Sequence, residues 1–151
     1  SGTPFAQLAA LAAEQGRKFD YTCIGASRAA NTAALLQDAA ALDVDIVWDT
    51  DVHWLHAAEV AEKLRQKCAQ ADAVYLTIDL DVLSAAQMPA VSAPAALGIP
   101  LDLLLYLIRP VLASGKTIAA DAVEYSPPYE RDNMGARSAA RLLWQIWQDW
   151  R

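Results

Sequence analysis

The sequence predicts an α/β fold in which parallel strands are sandwiched between helices. Three observations point there. Helical and strand-like periods alternate along the whole chain, as in βαβ units with right-handed crossovers. Four short β-prone runs are separated by Ala/Leu-rich amphipathic segments. One of those runs, Ala73–Asp79 (AVYLTID), is almost continuously apolar, the pattern of a strand buried on both faces. The length, 151 residues, suits one compact unit.

In order, Pro4–Glu14 opens with Pro and runs to Gly16, which predicts a short helix. Phe19–Gly25 alternates and ends in Gly, a strand. Asn31 is placed to cap a helix through Ala41, followed by a strand over Val44–Trp48. Leu55–Ala69 is helical, with Val60, Leu64 and Cys68 on one face. After the strand Ala73–Asp79, a Pro/Ala/Ser-rich stretch over Leu83–Pro100 interrupts the rhythm. A helix follows from Leu101, striped by Leu104, Leu105 and Ile108, and Pro110 is expected to end or kink it. Lys116–Glu124 forms the fourth strand, and a last helix covers roughly Asn133 to Trp150. That helix carries Trp144, Trp147 and Trp150 at a spacing that drifts around its axis. Either an interface or docking on the chain's own sheet with one Trp at the rim accounts for them.

Composition narrows the function classes. The chain is 55% hydrophobic and 20% charged, which excludes a disordered or collagen-like protein. The net charge is −6, so a phosphate backbone would be repelled and nucleic acid is not an expected partner. No apolar run reaches the ~18 residues of a membrane helix, and no signal-peptide pattern opens the chain, so no membrane is expected and the location expected is cytoplasmic. Cys23 and Cys68 lack metal spacing and read as buried thiols.

Chemistry is sought at the carboxyl ends of the strands, where parallel α/β sheets bind ligands. The third strand delivers Asp79-Leu80-Asp81. Residues i and i+2 of an extended backbone share a side, so both carboxylates converge and favour a hard cation such as Mg²⁺ or Mn²⁺. The bland alternative is a loop start with one Asp capping backbone N–H groups and the other solvated. The fourth strand ends in Asp121-Ala122-Val123-Glu124, a second acidic rim. Three apart, Asp121 and Glu124 face opposite sides unless the backbone bends. With a bend, Glu124 is placed to hold a cationic substrate or to move protons. His53 and His56 stand at i, i+3, a spacing a metal could use, although a purely structural pair is the simpler reading. There is no Gly-x-Ser-x-Gly elbow, P-loop, dinucleotide fingerprint or Cys-x-x-Cys, which removes those classes.

Thr77–Pro94 (TIDLDVLSAAQMPAVSAP) resembles the second metal-binding signature of the ureohydrolases, the arginase/agmatinase family. Its usual form is Ser-x-Asp-x-Asp followed by a loop with Pro-Gly and a later Pro. DAVEYSPPYERD is similar to that family's Asp-x-x-Glu-x-Asn-Pro-x-x-Asp segment. SGTPF, YTCIGASRAANTAAL and GARSAARL resemble its formimidoylglutamase branch in particular, so the likeness spans nearly the whole chain. The sequence departs from the pattern at Phe5, where arginases place a catalytic His, and at Ser84, Ala90 and Ser126. The first of these argues against arginase itself.

The resemblance implies a three-layer α/β/α, arginase-like fold with a mainly parallel sheet. Residues 1–151 would form the C-terminal portion of that domain, incomplete at the N-terminus. It implies two Mn²⁺ ions per complete site and hydrolysis of N-formimidoyl-L-glutamate to L-glutamate and formamide in histidine degradation. By the same resemblance, Asp79 and Asp81 are metal ligands and Glu124 contacts the amidinium. Ser1, Gly2 and Thr3 match the loop that holds the amino-acid end of the substrate. Arg28 or Asn31, after the first strand, would take the extra carboxylate, and the planar fork of Arg28 suits it better. The partner expected is a small-molecule amidine, and a homo-oligomer is expected of the full-length enzyme. Another agmatinase-like ureohydrolase, a non-catalytic α/β interaction module and, weakest, a sugar-nucleotide transferase remain as alternatives.

Overall fold

In the computed structural model, residues 3–151 are described; Ser1 and Gly2 lie outside them, as does the side chain of Thr3. The chain divides into two compact units, one ending at Thr50 and one over Asp51–Arg151. In the first, helix α1 (Thr3–Glu14) precedes strand β1 (Thr22–Ala26), helix α2 (Ala33–Ala41) and strand β2 (Asp45–Trp48). β1 and β2 pair in parallel, with a bulge between Ile24 and Ala26. Phe5 stacks on Tyr21 with ring centroids 4.6 Å apart. Asn31 is not the cap of α2. Thr32 is, its Oγ1 accepting from the Leu35 N–H, while the Asn31 amide donates to the Ser27 carbonyl at 2.8 Å. Both residue types cap well, and the one-residue difference is decided by the turn that precedes the helix.

In the second unit a 3₁₀ turn over Trp54–His56 leads into α3 (Ala57–Gln70), then β3 (Val74–Asp79). After a long loop come α4 (Leu101–Leu112), β4 (Thr117–Val123) and α5 (Met134–Asp149). β3 and β4 pair in parallel, with Thr77 opposite Asp121 and Asp79 opposite Val123. α4 supplies most of the helical core through Leu103, Leu104, Leu107, Ile108, Val111 and Leu112, so Leu105 is not on the buried stripe. Pro110 sits in the last turn, where one lost hydrogen bond is tolerated, and the helix ends two residues later.

β3 is not buried on both faces: Ile78 is buried, but Tyr75 is half exposed. Apolar runs signal burial only where both faces find cover. The Pro/Ala/Ser-rich stretch Leu83–Pro100, which interrupts the rhythm of the sequence, contributes several side chains to the core. Leu83, Met88, Ala90, Val91 and Ile99 are all essentially inaccessible. Parallel bridges Leu83 to Ile99 and Ser84 to Ala95 close it, and the Gln87 Oε1 accepts the Leu101 N–H to cap α4. On α5, Leu142 and Ile146 are buried, whereas Trp144, Trp147 and Trp150 are 54%, 79% and 40% exposed, which rules out docking with a single Trp at the rim. Cys68 is buried and Cys23 half-buried, and neither is in a disulfide.

Candidate functional site

β3 ends at Asp79, and the chain turns at once into a 3₁₀ turn over Leu80–Val82. Asp79 Oδ1 accepts the Asp81 N–H at 2.9 Å and so caps that turn. The capping expected of a plain loop start is therefore present, but it uses only one carboxylate. Asp81 Oδ1 is buried and has no hydrogen-bond partner among the described residues. An orphaned carboxylate oxygen is costly and calls for a cation or a donor.

Charge gathers at the same rim. Burial pushes the Asp81 carboxyl up to about 6, assisted by the negative charges of Asp79 and Glu124. Asp79 also lies above its ordinary value, through burial and the Glu124 charge, although the N–H of Asp81 pulls the other way. Asp79 keeps an exposed edge, so its desolvation is partial. Glu124 follows the end of β4 with φ at 69°, a left-handed conformation that supplies the bend the sequence required. Asp121 does not join the group. It accepts a hydrogen bond from the Tyr75 hydroxyl, and its own Oδ1 is buried without a partner among the described residues. Tyr75 was not visible as a partner in the sequence; its place opposite Ala119 in the register brings it near Asp121.

Because the folded Asp81 binds its proton more tightly than the unfolded chain, protonation stabilises the fold below the ordinary value of 3.8. That stability is lost as pH rises through about 6. With screening allowed for, the metal-free chain is expected to lose on the order of 1 kcal/mol between acid and neutral pH. Urea unfolding with chelator present, at several pH values, checks this; a flat profile contradicts it.

The residues fit a divalent cation: two hard oxygen donors at one strand end, one of them orphaned, with a third carboxylate felt nearby. They do not complete a site. Among the described residues no group of three or more His, Cys, Asp or Glu side chains is gathered closely enough to hold a metal ion. His53 and His56 lie with ring centroids 4.4 Å apart, their planes tilted by 38°, and belong to no such group among the described residues.

In the other unit, Arg28 is exposed and lies over the Trp48 ring, 3.8 Å from its centroid. This cation–π contact holds the guanidinium at the exposed surface, where its N–H fork suits an anion. The Asn31 amide, bound to Ser27 O, closes the turn that carries Arg28. Ser1 lies outside the described residues, and of Thr3 only its place at the start of α1 is described.

Comparison with known proteins decides the family. A sequence profile described as the arginase family matches residues 1–147. The chain belongs to the arginase family. This arginase-family chain is 54% identical over 151 residues to a formimidoylglutamase of Klebsiella aerogenes, covering all of the chain and 68% of that protein. It is 51% identical to a formimidoylglutamase of Photorhabdus laumondii over 99% of the chain and 47% of the relative. A Trypanosoma cruzi formiminoglutamase structure described as holding Mn²⁺ superposes with a TM-score of 0.80 at 20% identity, covering 96% of this chain and 49% of that one. The likeness shows that the family's α/β fold, expected from the sequence, is the one adopted. The chain spans about half the length of most of these proteins. No helix among the described residues is long and apolar enough to cross a membrane.

Proposed function

We propose that this chain is the C-terminal portion of a cytoplasmic, homo-oligomeric enzyme that hydrolyses N-formimidoyl-L-glutamate to L-glutamate and formamide in histidine degradation. The observation that carries the proposal is the charge of Asp79, Asp81 and Glu124 meeting at the rim of β3 and β4, with Asp81 Oδ1 lacking a partner among the described residues. The 54% identity to the Klebsiella aerogenes relative supports the substrate. The exposed tryptophans of α5 suit an assembled enzyme.

Asp79 and Asp81 would hold two Mn²⁺ ions together with ligands from outside the described residues. Such ions supply Lewis acidity for attack of water on an amidine carbon. Glu124 holds the amidinium by charge and hydrogen bonding, placing that carbon over the rim. Its left-handed turn keeps the carboxylate at the end of β4. Arg28, braced on Trp48, accepts a substrate carboxylate in a bidentate pair, helped by the Ser1–Thr3 loop, while Asn31 keeps the Arg28 turn closed.

The test is turnover by a full-length protein carrying this chain, with Mn²⁺ added. Formimidoylglutamate is expected to be cleaved far faster than agmatine or arginine. A preference for agmatine rejects the substrate, and no turnover of any amidine rejects the hydrolase. The 151 residues alone are expected to be silent, because two donors do not make a binuclear site.

Arg28→Met is expected to raise KM for formimidoylglutamate about 10- to 100-fold, the worth of a charge-assisted bidentate pair. Metal content and kcat are expected to stay near wild type. An unchanged KM assigns the carboxylates to other residues.

A further inference from the structure

The segment joining β4 to α5 holds three non-glycine residues in left-handed backbone: Glu124 at φ 69°, Asp132 at 51° and Asn133 at 58°. Such residues persist only where their surroundings over-determine them. Between them stands Glu130. Its Oε1 accepts the N–H groups of Arg131 at 2.8 Å and Gly135 at 3.0 Å. Its Oε2 accepts the Ala136 N–H at 2.7 Å and the Tyr125 hydroxyl at 2.8 Å.

An acid that merely capped α5 would need only the N–H groups. The fourth bond reaches back to Tyr125, the residue next to Glu124. A second tie fixes the same segment from the other side, where the Ser126 N–H donates to Ala90 O at 2.7 Å in the buried loop that follows Asp81. Gly135 permits the close approach, since a Cβ there would lie 2.6 Å from Ala90 Cβ and 3.1 Å from Glu130 Oε2. Glu130 thus links the first turn of the helix to the neighbour of Glu124, while Ser126 ties the same segment to the loop after Asp81.

We propose that Glu130 is a positioning residue for Glu124: by clasping Tyr125 to the first turn of α5, it fixes the left-handed turn that sets the Glu124 carboxylate at the Asp79–Asp81 rim. The effect on turnover rests on the amidine hydrolysis proposed above, whereas the clasp itself does not.

Tyr125→Phe separates clasping from helix capping, because it removes one hydroxyl and leaves Glu130 on its three N–H donors. In the Mn²⁺-loaded full-length protein, the variant is expected to keep its metal content and its Tm to within a few degrees. KM for formimidoylglutamate is expected to rise about tenfold with kcat little changed, the loss of one hydrogen bond's worth of alignment. Amide exchange at residues 124–126 is expected to quicken about tenfold. Glu130→Ala should raise KM further and lower Tm, with Glu130→Gln between it and wild type because the amide oxygen still accepts. Ser138→Ala, which removes a 2.6 Å bond from α5 to Gln87 O, is the control that lowers Tm without moving KM.

A wild-type KM in active Tyr125→Phe overturns the proposal, as does a KM rise matched by Ser138→Ala. A wild type inactive on every amidine refutes the hydrolase instead. Exchange at 124–126 then decides the clasp: quickening in Tyr125→Phe supports it and no change overturns it.

Discussion

Asp81→Asn is expected to act in opposite directions on the metal-free and metal-loaded protein. Without metal, the wild-type carboxylate is buried beside two like charges and holds its proton up to about pH 6. The neutral amide removes that repulsion, so the metal-free variant is expected to be as stable as wild type at neutral pH or more so, by on the order of 1 kcal/mol after screening. With metal, the same change deletes a formal charge and replaces an anionic donor by a neutral one. Altering groups that only support a ligand costs 10- to 100-fold in affinity in metal sites generally, so loss of a ligand is expected to cost more than about 100-fold for Mn²⁺. Turnover in the full-length protein should fall at least in proportion. Calorimetric titration with Mn²⁺, alongside urea unfolding in chelator, reads both signs. A merely solvated loop aspartate would move neither, and a variant that retained its full metal complement and rate would refute the assignment of Asp81.

Gly98→Ala is expected to be the most damaging small substitution in the second unit. Gly98 adopts φ +60°, and a Cβ there would lie 2.4 Å from Ser84 N and 2.6 Å from Leu83 C, both backbone atoms. A flexible side chain could give way; these atoms belong to the bridges that close the buried loop. Left-handed backbone costs about 1 kcal/mol, and overpacking a core adds about 1–3 kcal/mol, so a loss of roughly 3 kcal/mol or more is expected. For a unit of this size that lowers Tm by roughly 10 °C or more. Gly115→Ala provides the contrast. It has φ +69° but nothing within 4 Å of its Cβ, so only the conformational cost of about 1 kcal/mol applies. Equal losses in the two variants would show that the close approach at Gly98 carries no weight. Because the loop begins two residues after Asp81, Gly98→Ala is also expected to weaken Mn²⁺ binding, whereas Gly115→Ala is not.

The sequence by itself determined the order of the elements, the parallel pairing and the place of the acidic rim. Those features depend on near neighbours: period two or 3.6, Gly and Pro at the breaks, and an Asp-x-Asp order closing an apolar run. The strand itself stops at Asp79, so Asp81 is placed by the 3₁₀ turn and not by the i, i+2 geometry of an extended backbone. It also supplied the family, because Thr77–Pro94 and the segment around Glu124 keep a recognisable order of residue types. The tertiary structure alone decided what depends on distant partners. It drew Leu83, Met88, Ala90, Val91 and Ile99 of the Pro/Ala/Ser-rich stretch into the core and bridged Leu83 to Ile99. It left Tyr75 half exposed in a strand that reads as buried and tied it to Asp121, 46 residues away. It turned Glu124 through a left-handed bend so that its charge reaches Asp81, and it engaged Glu130 with four donors. Local rules fix the conformation a residue prefers, but burial and charge coupling are sums over atoms that only the folded chain brings together.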